Sequence, residues 1–522
     1  MRLLLLKLPY CPHPAAVGCD LRAKGTFRPM PSLALASLAG WIERWKTHDV
    51  QVQAQDVNLA AYTMPGQSAD TSLLPGALEA AVRDHSYDVL GVSVPFVFNI
   101  RWLHDVVKLS HKFHPEAGII AGGGLPTLMP KHCLEAGVDR VVVGEGEELF
   151  LAALEAAVDT TRIIASKCRT HMSLLPLPAW NLLDVNSCFD RSGERLLPIE
   201  TSRGCPHNCS FCTVTSVWGS SVRYKPAGHV IGEIDSLISK YDIEKLWFVD
   251  DNMTFKRDWA VLFLNILADA KFPVNIDASN FSVKHLDEEL IDLLAKAGFT
   301  RISVAIESGS TAIQQQVNKR LDLEQAVKVI SMIKKRGLAV HLCWMVGFPG
   351  ETVAQLHETY ALVRRLRAES NQFCTVVPFP GTRMHADAQA AGFLPPDDGN
   401  LDKYSCSGAE LLQNQEWTYD QLRSMTYDVN IDVNFLNNPQ LETETGRAKF
   451  LAYLEDLLLR LPDHVIALVL AGYLRGLAGN QELRKARHYA AARQAMKDPG
   501  VAATFGKYIK PGHPALDDFL VR

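Results

Sequence analysis

Short apolar strand patterns alternate with helical patterns twice along the chain, and this alternation limits the fold more than any other feature. In the first series, strand candidates such as residues 3–8 and 87–94 are separated by helical candidates such as residues 32–44 and 101–113. Strands that alternate with helices indicate a parallel, doubly wound sheet. Ligands of such sheets bind outside the carboxyl ends of the strands, where the glycines of this series are found.

The second series contains six strand candidates, and only helical patterns follow it. Six β/α units predict an open (β/α)6 partial TIM barrel, with its catalytic end at the carboxyl ends of the strands. The sequence therefore predicts an α/β protein in four parts: a Rossmann-like domain over residues 1–155, a turn-rich connector over 156–195, the open barrel over 196–395 and an all-α region over 396–522.

Length, charge and cysteine content narrow the class of protein. A chain of 522 residues is too long for one ordinary core. The net charge of −5 gives no bulk attraction to nucleic acid, so we expect no nucleic-acid partner. No uninterrupted apolar run reaches the length of a transmembrane helix. The eleven cysteines are scattered, without an export signal, and therefore predict a cytoplasmic protein rather than a disulfide framework.

Cys205, Cys209 and Cys212 form the one dense cysteine cluster, directly after the first strand of the second series. Three thiolates at this spacing suit zinc or an iron–sulfur cluster. A structural zinc site requires a fourth ligand. His207 lies inside the loop and could serve, but no second Cys-x-x-Cys pair follows. A 4Fe–4S cluster with three protein ligands keeps one iron open for a cofactor or substrate. The residues alone leave both metal centres possible.

The string C-x3-C-x2-C, with Gly204 before its first cysteine and Phe211 before its last, resembles the radical S-adenosylmethionine (SAM) superfamily. The resemblance implies that the three cysteines hold a 4Fe–4S cluster and that SAM binds its open iron. One electron from an external donor then cleaves SAM reductively, and the radical formed abstracts a substrate hydrogen.

The ends of the later strands resemble the elements with which this superfamily binds SAM. Each residue alone would also fit an ordinary turn, and their joint position at successive strand ends supports the resemblance. The implied SAM-binding residues are Phe211, Asp250, Asp251, Ser279, Glu307, Ser308 and Gly347.

The order of Rossmann-like domain, connector and barrel resembles the cobalamin-dependent radical SAM enzymes, in particular the class B type methyltransferases. The resemblance implies that the first domain binds cobalamin, with no histidine on cobalt because no Asp-x-His-x-x-Gly string is present. Glycines would let the backbone approach a bulky ligand, although unoccupied βα turns are the alternative. The implied cobalamin-binding residues are Ser93, Gly122, Gly123, Gly124, Thr127, Gly144 and Glu145.

Three functional hypotheses follow. The first is a radical SAM enzyme that uses cobalamin to methylate an unactivated carbon of a small-molecule, lipid or natural-product substrate. The second keeps these cofactors but performs a cyclisation or rearrangement without methyl transfer. The third is a non-catalytic zinc-binding protein. A peptide substrate also stays open, and no side chain stands out as a further catalytic residue.

Overall fold

The computed structural model describes residues 1–14, 29–62, 69–155, 161–166, 169–396, 399–405, 411–478 and 482–521. The first five residues of the predicted connector, 156–160, lie outside the described residues, and the predicted domain boundaries stay predictions. Among the described residues, no helix combines the length and the apolar character needed to cross a membrane.

The N-terminal sheet has six parallel strands in the order β2-β1-β3-β4-β5-β6. Both faces are covered by apolar side chains, as the continuous apolar run of β1 predicts. The strand order reverses between β1 and β3, so a crevice opens at their carboxyl ends. The strands are β1 (Arg2–Lys7), β2 (Gln51–Asp56), β3 (Val89–Ser93), β4 (Gly118–Gly122), β5 (Arg140–Val143) and β6 (Ile163–Ala165).

Helices pack on both faces of this sheet. Ser32 caps the first of them by accepting a hydrogen bond from the Leu35 backbone N–H, as its position in the sequence predicts. The helices are α1 (Leu33–Trp45), α2 (Leu74–Arg83), α3 (Ile100–Phe113), α4 (Gly124–Leu128), α5 (Pro130–Glu135) and α6 (Gly146–Glu155), and α7 (Val185–Ser192) follows in the connector.

The second sheet also has six parallel strands, in the sequential order β7-β10-β11-β12-β13-β14. No pairing closes β14 onto β7 among the described residues, so the barrel is open. A short antiparallel pair, β8–β9, follows β7. The strands are β7 (Leu196–Ile199), β8 (Ser202–Arg203), β9 (Arg223–Tyr224), β10 (Lys245–Phe248), β11 (Asn275–Phe281), β12 (Phe299–Glu307), β13 (Ala339–Val346) and β14 (Ser370–Thr375).

Helices accompany the strands of the barrel, and the longer ones pack on its outer face in a large apolar core. They are α8 (Val214–Trp218), α9 (Ala227–Tyr241), α10 (Arg257–Ala270), α11 (Glu288–Lys296), α12 (Thr311–Gln316), α13 (Leu323–Lys335), α14 (Val353–Leu366) and α15 (Arg383–Ala390).

The described part of the C-terminal region is helical and has a core of its own. Its helices are α16 (Tyr419–Ile431), which continues as a π-helical turn over Asp432–Leu436, α17 (Glu444–Arg460), α18 (Val465–Leu477), α19 (Glu482–Ala495), α20 (Pro499–Phe505) and α21 (Pro514–Val521). The predicted α/β class, with a Rossmann-like sheet, an open (β/α)6 barrel and a helical C-terminal region, is confirmed.

Candidate active site

The cysteine loop begins where β7 ends, and Asp250 fixes its entry. The Asp250 carboxylate accepts hydrogen bonds from the Thr201 hydroxyl at 2.7 Å and from the Ser202 hydroxyl at 2.5 Å. Burial raises the pKa of Asp250 to about 6, and these hydrogen bonds oppose that rise. Asp250 thus ties the carboxyl end of β10 to the strand before the cysteines, which indicates a positioning role.

The three predicted ligand thiols are partly buried and close enough to influence one another. Burial, with a smaller contribution from the Cys209 and Cys205 thiols, raises the pKa of Cys212 to about 11. The Nδ2 atom of Asn252 lies 4.0 Å from the Cys205 sulfur as its hydrogen-bond donor, while Asn252 Oδ1 is buried without a partner among the described residues. This orphaned acceptor fits a site that receives a further polar group beside the thiols.

Among the described residues, no three His, Cys, Asp or Glu side chains form a group that could hold a single metal ion. A mononuclear zinc site requires such convergence. The cysteine ligands of a 4Fe–4S cluster bind different irons, so a cluster does not require three thiols around a single ion.

A cavity of about 380 Å³ lies between the two sheets. On one side it is lined by the carboxyl ends of β3 and β4, and on the other by Arg203, Trp218 and Asp251 from the barrel. Five predicted cobalamin-binding residues line it: Ser93, Gly122, Gly123, Gly124 and Gly144. The crevice of the first sheet and the loops next to the predicted cluster therefore share one space.

Two of these glycines are required by packing within the N-terminal domain. A Cβ on Gly123, whose φ is +111°, would lie 2.8 Å from the Val94 carbonyl oxygen. A Cβ on Gly124 would lie 2.1 Å from the Pro95 carbonyl oxygen. Close contact between two loops thus leaves no room for a side chain at either position, and the contact of both glycines with cobalamin stays a prediction.

Thr127 and Glu145 do not line the cavity. The Thr127 hydroxyl accepts a hydrogen bond from the Gly144 backbone N–H at 3.0 Å. Thr127 therefore shapes the loop of Gly144, which does line the cavity. Glu145 is buried and pairs with Arg223, whose Nη1 donates to Glu145 Oε2 at 3.1 Å. Both side chains act on neighbouring protein groups, and direct contact with a cofactor stays a prediction for them.

Arg203 joins the two domains at the cavity wall. Its Nη2 donates to Glu147 of α6 at 2.6 Å and its Nε donates to Glu200 at 2.9 Å. The guanidinium also lies 4.7 Å from the centre of the Trp218 ring, and its Nη1 is 3.5 Å from Glu145 without hydrogen-bond geometry. Glu145 and Glu147 are buried and the Glu200 side chain is only 13% exposed, so these carboxylates need the counter-charge to which Arg203 contributes.

The predicted SAM-binding residues of β11 and β12 face different partners. Glu307, at φ +71°, accepts a hydrogen bond from Lys319 Nζ at 2.8 Å. Ser308 is fully buried and its hydroxyl lies 3.1 Å from that of Thr359. The Ser279 hydroxyl donates to the Phe248 carbonyl at 3.3 Å. Glu307 is close enough to Cys209 for its negative charge to add to the rise that burial causes in the pKa of that thiol. Ser308 instead supports the turn that follows Glu307.

Asp251 lies at the cavity wall, next to the cysteine loop. Burial, reinforced by the neighbouring charges of Asp250 and Glu200, raises the pKa of Asp251 to about 7. Of the two adjacent aspartates, Asp251 is therefore the one placed to meet a ligand.

Gly347 and Phe211 lie where the barrel meets the residues that follow it. Gly347 has φ +82°, and a Cβ there would lie 2.6 Å from a methyl carbon of Leu422 in α16. The Glu351 carboxylate accepts from the backbone N–H of Gly347 at 2.6 Å. Phe211 packs against Phe348, with ring centres 6.5 Å apart. These contacts position the β13 loop beside the cysteines.

Sequence reasoning missed Arg203, Glu147, Trp218 and Asn252. The acidic pair in Gly144–Glu147 and the arginine two residues before Cys205 offered complementary charges, but nothing local to either motif indicates that they meet.

Comparison with known proteins assigns both domains. Residues 199–363 match the family model of the radical SAM superfamily, and residues 28–154 match that of the B12 binding domain. These two domain matches confirm the prediction of a radical SAM enzyme. They also confirm the predicted cofactors, which are a 4Fe–4S cluster, SAM and cobalamin.

Two curated relatives and one solved structure are similar to this chain. It is 26% identical over 371 residues to the cytidylyl-2-hydroxyethylphosphonate methyltransferase of Streptomyces wedmorensis, covering 61% of this chain and 69% of that protein. It is 25% identical over 300 residues to the anaerobic magnesium-protoporphyrin IX monomethyl ester cyclase of Rubrivivax gelatinosus, covering 52% and 54%.

The solved structure is that of OxsB, a cobalamin-dependent SAM radical enzyme with aqua-cobalamin and SAM bound. The two folds superpose with a TM-score of 0.63 at 14% identity, over 100% of this chain and 83% of OxsB. The chain therefore contains a B12-binding domain followed by a radical SAM domain.

Proposed function

We propose that this protein is a cobalamin-dependent radical SAM methyltransferase that methylates an unactivated carbon of a small-molecule substrate. The cavity between the sheets supports this proposal most directly, because the B12-binding domain faces Arg203 and Trp218, which flank the cysteine loop, across it. Two cofactor sites that open into one cavity allow a single substrate to meet both.

The cofactors, when bound, supply a hydrogen-abstracting radical from the 4Fe–4S cluster and SAM, and a methyl group from cobalamin. In this proposal the thiolates of Cys205, Cys209 and Cys212 hold the cluster. Asp251 and Glu307, at the ends of β10 and β12, hold SAM together with Phe211, Ser279 and Gly347. Ser93, Gly122, Gly123, Gly124 and Gly144 contact cobalamin at the ends of β3 to β5.

The cavity wall serves to keep water away from the reacting atoms. Leu5, Val142 and Phe150 contribute its apolar surface on the B12-binding side, and Trp218 contributes on the barrel side. The exclusion of water from such a site limits side reactions of a reactive intermediate. Arg203 contributes by fixing the two sides relative to each other, since it is bonded to Glu147 and Glu200 at once.

The barrel interior gives the substrate a partly polar surface. Along β13, Val340, Leu342 and Trp344 are buried beneath the helices, so the alternate residues point into the barrel. These are His341, Cys343 and Met345. The phosphonate methyltransferase relative favours a small-molecule substrate.

A cyclisation without methyl transfer is the second candidate, favoured by the similarity to the protoporphyrin ester cyclase. SAM labelled on its methyl carbon distinguishes the two. We expect the reconstituted enzyme, given candidate small-molecule pools, to incorporate the label into a product. Deoxyadenosine accumulation with an unlabelled, cyclised product would contradict methyl transfer and support the cyclase.

A matched variant links the labelling to the cysteine loop. Cys209→Ser retains the size of the side chain but replaces the thiolate that the cluster requires. This variant should form neither deoxyadenosine nor labelled product.

A further inference from the structure

The short β8–β9 hairpin carries two arginines side by side. Arg203 and Arg223 are cross-strand partners in its antiparallel register. Partners of this kind lie on the same face of a hairpin, where two like charges repel each other. The hairpin therefore needs carboxylates close to both guanidinium groups.

The Gly144–Glu147 loop of the B12-binding domain supplies two of these carboxylates. Glu145 accepts hydrogen bonds from both terminal nitrogens of Arg223, in the two-pronged geometry of a strong charge-assisted pair. Glu147 accepts from Arg203 Nη2 at 2.6 Å. The Arg223 side chain is 18% exposed and the other three are at most 6% exposed. We call these four side chains the interdomain clamp.

On one side, the interdomain clamp is joined to the predicted cobalamin site. Gly144 and Gly146, which flank Glu145 in the chain, line the cavity between the two sheets, and so does Glu147. A shift of the loop that carries the two glutamates therefore moves the wall of this cavity on the B12-binding side.

On the other side, the interdomain clamp is joined to the cysteine loop. Cys205 follows Arg203 by two residues, and its backbone N–H donates to the Gly219 carbonyl at 3.4 Å. A Cβ on Gly204 would lie 2.4 Å from the Ser221 carbonyl oxygen, so the chain before Cys205 packs directly on the segment that leads into β9. Movement of the hairpin therefore carries the first predicted cluster ligand with it.

The interdomain clamp is a polar connection between two largely separate apolar cores, one around the first sheet and one around the barrel. Relative movement is the ordinary expectation for two domains joined in this way. Opening of the clamp separates buried carboxylates from their guanidinium partners, which is costly. The loop of the B12-binding domain and the hairpin of the barrel therefore keep one relative position whenever the clamp is closed.

We propose that Arg203 and Arg223 are positioning residues that couple the two cofactor sites, so that SAM beside the cysteines and cobalamin in the first domain strengthen each other's binding. The proposal rests on the proposed function, which places both cofactors on one cavity. A cofactor that prefers the closed arrangement shifts the protein towards it, and the second cofactor then meets that arrangement already formed. Because coupling between two sites is reciprocal, each cofactor raises the affinity for the other by the same factor.

Binding of hydroxocobalamin with and without SAM measures this coupling directly. The full chain carries a reconstituted cluster that is kept oxidised under anaerobic conditions, so that SAM is bound but not cleaved. Equilibrium dialysis gives the dissociation constant of hydroxocobalamin in each case. We expect the wild type to bind it roughly fivefold or more tightly when SAM is saturating.

A double variant tests the role of the clamp. Glu145→Gln/Arg223→Gln removes one anion and one cation together, so the net charge is unchanged, and the gain from SAM should fall below about twofold. Lys225→Gln/Glu233→Gln is the matched control, because it removes a buried ion pair of 2.8 Å that lies wholly within the barrel. The control should retain the wild-type gain.

The single variant Arg223→Lys keeps the positive charge and serves as the test if the double variant does not fold. It should show a gain from SAM between those of the wild type and the double variant, because an ammonium cannot reproduce the two-pronged pair.

The ratio of the two dissociation constants separates coupling from direct contact. If Glu145 only touched cobalamin, its replacement would weaken binding equally with and without SAM and leave the ratio unchanged. That result, a wild-type ratio of one, or an equal loss of the ratio in the control variant would overturn the coupling. Wild-type protein that binds no cobalamin, or no SAM, would instead contradict the proposed function.

Discussion

Glu351 makes the stability of the β13 loop depend on pH. This carboxyl group is fully buried, and it accepts hydrogen bonds from the backbone N–H groups of Gly347 and Phe348 through one oxygen. Its other oxygen has no partner among the described residues. Burial raises the pKa of Glu351 to about 7 from its usual 4.5, against the lowering effect of the two backbone donors.

The free energy of opening the β13 loop depends on pH because Glu351 ionises at different pH values in the closed and the opened loop. Below pH 4.5 the group is protonated in both states, and the closed loop keeps its full stability. Between pH 4.5 and about 7 only the opened state ionises, so the free energy of opening falls as the pH rises. At about 1.4 kcal/mol for each unit of pKa, the total decrease is about 3 kcal/mol. Above pH 7 the free energy is constant again.

Native-state hydrogen exchange measures this opening directly, whereas global unfolding of a chain with several domains is not two-state. The opening free energy of peptides covering residues 345–352 is determined from pH 5 to 8, after correction for intrinsic exchange. Glu351→Gln, neutral at every pH, should abolish the dependence. Glu358→Gln, an exposed carboxyl on α14, should retain it. A slope in Glu351→Gln equal to that of the wild type would refute the reasoning.

Two further predictions concern the glycines and the cysteines. Gly124→Ala places a Cβ 2.1 Å from the Pro95 carbonyl oxygen, and we expect a loss of about 1–3 kcal/mol, seen as a lower thermal midpoint and weaker cobalamin binding. Gly118→Ala, which meets nothing within 4 Å, should leave both unchanged. Cys212→Ala should lower iron and sulfide after anaerobic reconstitution, and Cys374→Ala should not; equal contents in both would contradict the ligand assignment.

The sheets were predictable because parallel strands buried on both faces leave a strong local pattern. β1 is an almost continuous apolar run. The sequence patterns that predict β12 and β13 also fall at nearly the same residues as the observed strands. The glycine-rich ends of β4 and β5 were predictable for the same reason, since each βα turn follows its own strand. The π-helical turn after α16 carries no comparable local signal.

The contacts between distant segments were not predictable from local patterns. Glu145 lies in a glycine-rich loop at the end of a strand, and nothing in that loop indicates that its carboxylate pairs with Arg223, which is far along the chain. The sequence predicts Gly124 as a point of close ligand approach, and it gives no sign that the Pro95 backbone also leaves no room there for a side chain. A motif indicates that a residue is constrained, but only the tertiary structure tells which neighbour imposes the constraint.

The central claim is that one chain uses a cluster at Cys205, Cys209 and Cys212 together with cobalamin across a shared cavity. The most direct test counts the two products of SAM after anaerobic reconstitution with iron, sulfide and cobalamin. We expect deoxyadenosine and S-adenosylhomocysteine together from the wild type, no deoxyadenosine from Cys209→Ser, and no S-adenosylhomocysteine without cobalamin. Wild-type enzyme that contains both cofactors and forms only deoxyadenosine would contradict methyl transfer.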